Sequence, residues 1–382
     1  MSARLAAFAV GSLLLASTAV ATAEPMDPAL ERLVIDPRCR NDLGVYQDSD
    51  SNLDALEAGP GKRRWCAPDH ASFKKMMNQY GFAFAPTAMH SARTTGYGGF
   101  HLSLEAAYTK IDDGAAYWAN GTQGPVDPSD NSASVKNSSP QSILQLYSVK
   151  FRKGFGFGLE ITGAVGFMPK TSIISGGADV RLSVLEGFRT GVLGVFPDIA
   201  VGGGVRTVSG TPQFQLTTVG LDAQISKPLP IADSQILTPW VGFQYLWIFA
   251  DSGLVDLTPG TDGLGYCNYA GNNVPGNPDP DKAQGGSQNP NGTQGQLYDG
   301  QPVCNGGSPL DFNNNVVFNN ARLERQRVIA GVNYRYEMVM VGAEFLMDLV
   351  PPGDAQNDKE DKELLKDEDR QWTLVFELGG MF

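Results

Sequence analysis

Arg370-Gln-Trp-Thr-Leu-Val-Phe-Glu-Leu-Gly-Gly-Met-Phe382 closes the chain, and its side chains divide by parity. Trp372, Leu374, Phe376, Leu378 and Phe382 fall on one face of an extended segment. Gln371, Thr373, Glu377 and Met381 fall on the other. A period of two places alternate side chains on opposite sides of a sheet. An apolar, aromatic-bounded outer face suits a strand whose surroundings are themselves apolar.

Upstream, the same alternation recurs from Gly98 onward. In the first such segment Phe100, Leu102, Leu104, Ala106 and Tyr108 oppose His101, Ser103, Glu105 and Thr109. Further segments are expected at 143–152, 155–167, 174–185, 196–208, 213–226, 237–250, 322–336 and 339–349. The 237–250 segment is the clearest, with Val241, Phe243, Tyr245, Trp247 and Phe249 on one face and Gly242 and Gln244 on the other. With the terminal strand the count is about ten (8–12 are compatible). The fold class is therefore all-β, an antiparallel transmembrane β-barrel, preceded by a small, partly helical segment. A soluble antiparallel sandwich would also alternate, but it accounts less well for the connections. These alternate between short turns, around Gly154, 187–190, 227–233 and 337–338, and longer loops that include 111–141, 252–320 and 350–369. Short turns on one side and long loops on the other suit a barrel with both chain ends on the turn side. Outward aromatics gather near the strand ends on both sides, as membrane-interface girdles do.

The terminal segment resembles the C-terminal strand of bacterial outer-membrane β-barrels, in which Phe382 would be the closing aromatic. Gly380 departs from the pattern, which usually has a larger apolar residue there. More broadly, residues 98–382 resemble the small outer-membrane barrels of Gram-negative bacteria, the OmpA-like and OmpW-like or porin-like group. The resemblance implies outer-membrane lipid and lipopolysaccharide as surroundings. It also implies recognition of Trp372, Leu374, Phe376, Leu378 and Phe382 by the barrel-assembly machinery.

The start of the chain agrees. Arg4, the apolar stretch from Leu5 to Val20 and Ala21-Thr-Ala23 have the form of a secretory signal peptide, with cleavage expected near Ala23. No later run of about 18 apolar residues appears, so no membrane helix is expected. Residues 24–97 lack the barrel pattern. Short helices are expected at 27–36, with Asp27 as N-cap, and at 69–80, with Phe73, Met76, Met77 and Tyr80 on one stripe. This segment is either a periplasmic extension or a plug entering the lumen.

A net charge of −12 argues against a nucleic-acid partner, which needs basic patches. Four cysteines form two sequence-local pairs, and in an oxidising compartment the expected disulfides are Cys39–Cys66 and Cys267–Cys304. No cofactor is expected. Asp279 and Asp281 within Asn277-Pro-Asp-Pro-Asp281 are weak candidates for a hard cation, but the stretch lacks the spacing of a dedicated calcium loop. The acidic 354–370 stretch reads as a solvated, partly helical loop.

The inward faces carry the most informative residues. Lys150, Arg152, Arg181, Arg206, Arg325, Arg327 and Arg335 are offset by Glu105, Glu160, Asp179, Asp222, Glu344, Asp348 and Glu377. Such a set either fills the lumen as an ion-pair network or lines a narrow selective pore for small solutes. Catalysis is not expected. His70 and His90 precede the barrel, His101 is at the turn-side end of its first strand, and none is expected at the loop-side rim. Gly154-Phe-Gly-Phe-Gly158 reads as part of an apolar strand rather than a phosphate loop. Two functions remain: a largely closed barrel displaying disulfide-stapled loops for adhesion, partner binding or envelope integrity, and a narrow porin.

Overall fold

A computed structural model describes residues 24–35, 67–88, 90–125, 136–187, 196–232, 234–257 and 315–382, with the backbone alone at 267–269 and 302–304. Ten long strands run in sequence order around one sheet: β1 (Phe100–Lys110), β2 (Ile143–Gly154), β3 (Leu159–Phe167), β4 (Ile174–Leu185), β5 (Asp198–Ser209), β6 (Phe214–Ser226), β7 (Gln235–Ser252), β8 (Ala321–Tyr336), β9 (Val339–Asp348) and β10 (Trp372–Met381). Each pairs antiparallel with the next, and β10 pairs with β1, so the sheet closes. A four-residue strand, Leu229–Ala232, folds back on β7 outside the ring. Closure removes the free edges that an open sheet would expose. No helix among the described residues is long and apolar enough to cross a membrane, which does not bear on a barrel.

The period-two pattern sets the wall. Leu102, Leu104, Val149, Phe151, Val165, Val180, Leu221, Val241, Phe376 and Leu378 all present exposed apolar surface outward. On the inside, the alternate positions change character along the barrel axis. Toward the long-loop side they are apolar and buried, including Leu144, Leu146, Leu216, Leu246, Ile248, Leu323, Leu346 and Val375. Toward the middle and the turn side they carry most of the charges, while the Arg325–Asp348 pair lies level with the apolar layer, Asp348 ending β9 on the loop side. A single hydrophobic core joins the inner loop-side residues to Phe73, Met76, Met77, Tyr80 and Phe84 of helix α1 (His70–Phe84).

Helix α1 starts where Asp69 accepts the Ser72 backbone N–H at 3.0 Å. It runs four residues past the expected end and stops at Ala85, whose extended backbone is what a following proline favours. The other expected helix reduces to one 3₁₀ turn, Leu30–Arg32. Asp27 does not cap it. Its carboxylate accepts instead from the Ser172 backbone N–H at 2.6 Å and the Ser172 hydroxyl at 2.9 Å, tying the segment to the β3–β4 connection.

The glycine-rich run after β2 also differs from expectation. Phe155 to Gly158 is the turn itself, and β3 begins only at Leu159. Phe157 has φ 61° and Gly158 φ 71°, a left-handed pair that extended strand backbone cannot contain. Phe157 is consequently fully exposed at the turn-side rim, a position suited to the membrane interface.

The loops carry short helices, α2 (Ala116–Gly121) and α3 (Lys359–Leu364). The acidic stretch is less solvated than its composition suggests. Asp361 pairs with Lys74 of α1 at 2.7 Å, and Glu368 pairs with Lys75 at 3.1 Å. Asp358 caps α3 by accepting from the Glu360 and Asp361 amides.

Candidate functional site

Residues 70–88 and 90–95 occupy the lumen and descend it from the loop side to the turn side. At the top, Gly81 lies against Ile248, near the loop end of β7; a Cβ there would come within 2.5 Å of the isoleucine side chain. Lower, Arg327 donates to the carbonyls of Phe82 at 3.2 Å and Pro86 at 2.8 Å. Thr87 donates to Glu105 at 2.9 Å, and Glu344 accepts the Ala88 amide at 3.2 Å. Near the bottom, Arg181 donates to the His90 carbonyl at 3.2 Å, and Ser226 accepts the Ala92 amide at 3.1 Å. Glu160 accepts the Thr95 amide at 2.7 Å. Gly154, at the end of β2, donates its amide to Gly99 O at 3.1 Å as the chain turns into β1.

These contacts give the inward charges two tasks. Several pair with each other: Lys150 with Glu105 at 2.6 Å, Arg181 with Asp222 at 2.9 Å, Arg206 with Asp179 at 2.6 Å, and Arg325 with Asp348. Arg152 lies between Glu160, at 3.6 Å, and Glu377, at 3.5 Å. Glu105 and Glu377 stand directly opposite on β1 and β10, so Lys150 and Arg152 from β2 separate two like charges. The second task is to satisfy the luminal backbone, which has no sheet partner of its own. Arg327 illustrates this. It forms no ion pair within 4 Å among the described residues, and donates to Gln244, Phe82 O and Pro86 O while its guanidinium covers the Phe82 ring.

Arg335 is the exception. It shares the inward parity but lies exposed at the turn-side mouth, with its guanidinium 3.4 Å from Met381 Sδ. There it lines an open vestibule of about 250 Å³ with Arg93, Arg152, Thr238 and Asn333. Above the vestibule a space of about 20 Å³ remains beside Thr87, Lys150 and Arg181, enough for about one water. At the vestibule rim Glu186 accepts the Thr94 hydroxyl at 2.8 Å; burial raises its carboxyl above the ordinary range, against the lowering effect of that hydrogen bond.

Glycine makes room for two of these pairs. A Cβ on Gly204 would lie 1.8 Å from Asp179 Oδ1, and one on Gly202 3.1 Å from Asp222 Oδ2. The Gly202-Gly-Gly204 run of β5 thus lets Arg181 on β4 reach Asp222 on β6 across the intervening strand. Gly204→Ala should push Asp179 off Arg206 and lower barrel stability by roughly 1–3 kcal/mol, the usual range for overpacking. The check is the temperature at which the folded, fast-migrating gel band is lost; an unchanged temperature would rule out the steric account.

The loop-side mouth is closed by side chains that sequence reading did not single out. Gln79 accepts from Trp118 Nε1 at 2.9 Å and from the Asp112 amide at 3.0 Å. Tyr117 donates to Glu368 at 2.8 Å; burial and then that carboxylate raise its phenol above the usual range. His70 does reach the loop-side rim, contrary to expectation, where its Nδ1 accepts the Asn319 amide at 3.1 Å and its ring meets Phe318 edge-on. His101 is buried lower down, 3.9 Å from Glu377.

A closed, even-stranded antiparallel ring with an apolar exterior, flanking aromatics and a charged layer inside decides the class. This is a β-barrel protein of the outer-membrane type. No family model matches the chain, and no curated protein does. Among solved structures it is similar to Ail, the attachment invasion locus protein of Yersinia pestis, at 10% identity over 75% of this chain and 99% of that one, with a TM-score of 0.24. The outer membrane protein OprG from Pseudomonas aeruginosa is similar at 10% identity over 77% and 99% of the two chains, with a TM-score of 0.24.

Three expectations fall outside the described residues: the signal peptide at 1–23, the Cys39–Cys66 pair, and Asp279 with Asp281. For the second cysteine pair the backbone is described, and Cys267 stands directly opposite Cys304 on a short antiparallel ladder.

Proposed function

We propose that this barrel is closed and works through its long-loop face, in envelope integrity, adhesion or partner binding. One observation carries the reading: residues 70–88 and 90–95 fill the lumen and are hydrogen-bonded to inward side chains at successive levels. A permeating ion would have to displace hydrogen-bonded backbone and buried ion pairs together. The turn side then faces the periplasm and the long loops face outward, the usual arrangement of outer-membrane barrels. Outer-membrane lipid and lipopolysaccharide surround the wall, and the C-terminal strand ending at Phe382 addresses the chain to the assembly machinery. Disulfides Cys39–Cys66 and Cys267–Cys304 would staple the display surface; the opposed register of the latter pair supports its bond. No catalysis and no cofactor are assigned.

The test is single-channel recording of the refolded chain in a planar bilayer, with folding checked by heat-dependent gel mobility. The closed reading expects no steady conductance. Steady conductance from folded protein would sink it and establish the narrow-pore alternative, whose selectivity should then follow Arg152, Arg181 and Glu377.

A further inference from the structure

The direction in which the N-terminal segment occupies the lumen has a topological consequence. Strand β1 starts at Phe100 on the turn side, where the Phe100 amide donates to Phe382 O at 2.9 Å. Followed backward, the chain rises through the charged layer at Thr95, Ala92, Ala88 and Thr87, then through the apolar layer as α1. It reaches the opposite mouth at His70. The earlier described residues all remain there. Met26 N donates to Lys170 O at 3.1 Å, and Ala29 N to Gly121 O at 2.8 Å. Leu30 N donates to Gln213 Oε1 at 2.7 Å. Lys170, Gly121 and Gln213 belong to three different loop-side connections.

The two flanks of residues 36–66 are also fixed at this mouth. Val34 and Pro68 form an antiparallel bridge, Ile35 N donates to Ala67 O at 3.0 Å, and Asp69 N donates to Leu33 O at 2.8 Å. Ile35 and Ala67 therefore both lie on the long-loop side. This corrects the expectation that both chain ends lie on the turn side: Phe382 does, and the segment 24–35 lies opposite.

We infer that the barrel carries its own N-terminal segment through its lumen and seats residues 24–35, exposed at Glu24 and Ile35, in the outer mouth beside the long loops, with both flanks of the 36–66 stretch on that side. The lumen serves as the route by which that segment is held across the membrane, and the buried contacts of residues 70–88 and 90–95 are its anchor. The inference rests on the proposed orientation, with long loops outward.

An epitope tag between Glu24 and Pro25 tests it, with parallel tags at Gly114 in the β1–β2 loop and between Glu337 and Met338 in the β8–β9 turn. Antibody binding is compared on intact and permeabilised cells expressing the full chain. The expected result is binding to the first two tags on intact cells and to the third only after permeabilisation. If the Gly114 tag is exposed while the Glu24 tag needs permeabilisation, the inference is overturned and the orientation stands. If the Glu337 tag alone is exposed, the orientation itself fails. A second variant avoids tags: with Asp27→Cys and Ser172→Cys, oxidation of the folded protein should yield a cross-linked peptide containing both positions. Its absence from folded, oxidised protein would equally overturn the inference.

Discussion

Arg327→Met is expected to loosen the luminal segment while leaving the barrel wall closed. The guanidinium is 1% exposed and lies at mid-lumen, where β8 pairs with β7 and β9. It donates to three acceptors: Phe82 O, Gln244 Oε1 and Pro86 O, the last of which also accepts from Gln244 Nε2 at 3.2 Å. Methionine has similar length but no donors, so Phe82 O and Gln244 Oε1 would lose this donor and be left buried or would draw in water. An orphaned buried polar group costs about 1–3 kcal/mol, and relief from burying a cation without a carboxylate partner offsets part of that sum. The net loss should be about 3 kcal/mol, falling on the contact between α1 and the wall rather than on the strand ladders. Three measurements separate this from general unfolding. Trypsin should cut at Lys74, Lys75 or Arg93 in the variant under conditions that leave the parent intact. The heat-dependent gel shift should persist, and brief conducting events should appear in bilayer recordings. Protease resistance equal to the parent's would show that Arg327 is not an anchor.

The wall was legible because a barrel in lipid leaves one rule dominant. Outward positions across the middle of the wall are apolar, so alternation survives in all ten strands, from Leu102 and Leu104 on β1 to Phe376 and Leu378 on β10, and breaks only near the strand ends, as at Arg322 and Asp251. Boundaries failed where backbone conformation, not burial, decided. Phe155 and Phe157 continue the apolar alternation, but the left-handed backbone at Phe157 and Gly158 makes a turn of them. Parity likewise placed Arg335 inside, whereas its depth along the axis puts it in open solvent at the mouth.

The interior was less legible for a different reason. Parity shows that Lys150, Arg181 and Arg327 face inward but says nothing of what meets them there. Five of their nine partners among the described residues, Phe82, Pro86, Thr87, His90 and Ser91, come from a segment with no periodic signal that acts mostly through its backbone. The apolar layer around Leu246, Ile248 and Leu346 was the available clue. An aqueous pore has no use for leucine and isoleucine on its inner face, so such residues imply an apolar occupant. The stripe of Phe73, Met76, Met77 and Tyr80 on α1 is that occupant, each side chain contributing roughly 1.5–3 kcal/mol on burial. Lys74 and Lys75, on the same helix, explain why the acidic loop keeps its carboxylates near the mouth.

The Arg325–Asp348 pair offers the sharpest energetic test of the charged layer. Both side chains are essentially inaccessible, Arg325 at 0% and Asp348 at 0%. Arg325 Nε donates to Asp348 Oδ1 at 3.0 Å, a second contact joins Nη2 to Oδ2, and the Gln371 amide donates to Oδ2 at 2.8 Å. The pair therefore bridges β8 and β9 and fixes the entry into β10. Arg325→Leu would strand a carboxylate in the core, with an expected loss of about 3–5 kcal/mol. Asp348→Leu would strand the guanidinium, although its stacking on the Phe82 ring makes that loss the smaller of the two. With both replaced, no buried charge remains and an apolar pair extends the layer formed by Leu323 and Leu346. The double variant should thus recover most of the stability lost by either single one, because desolvating both charges costs nearly as much as their attraction returns. Urea titration of the folded gel band in the four proteins measures the coupling. Additive losses would show that the two residues act on separate parts of the barrel, and that the ion pair does not hold β8 to β9.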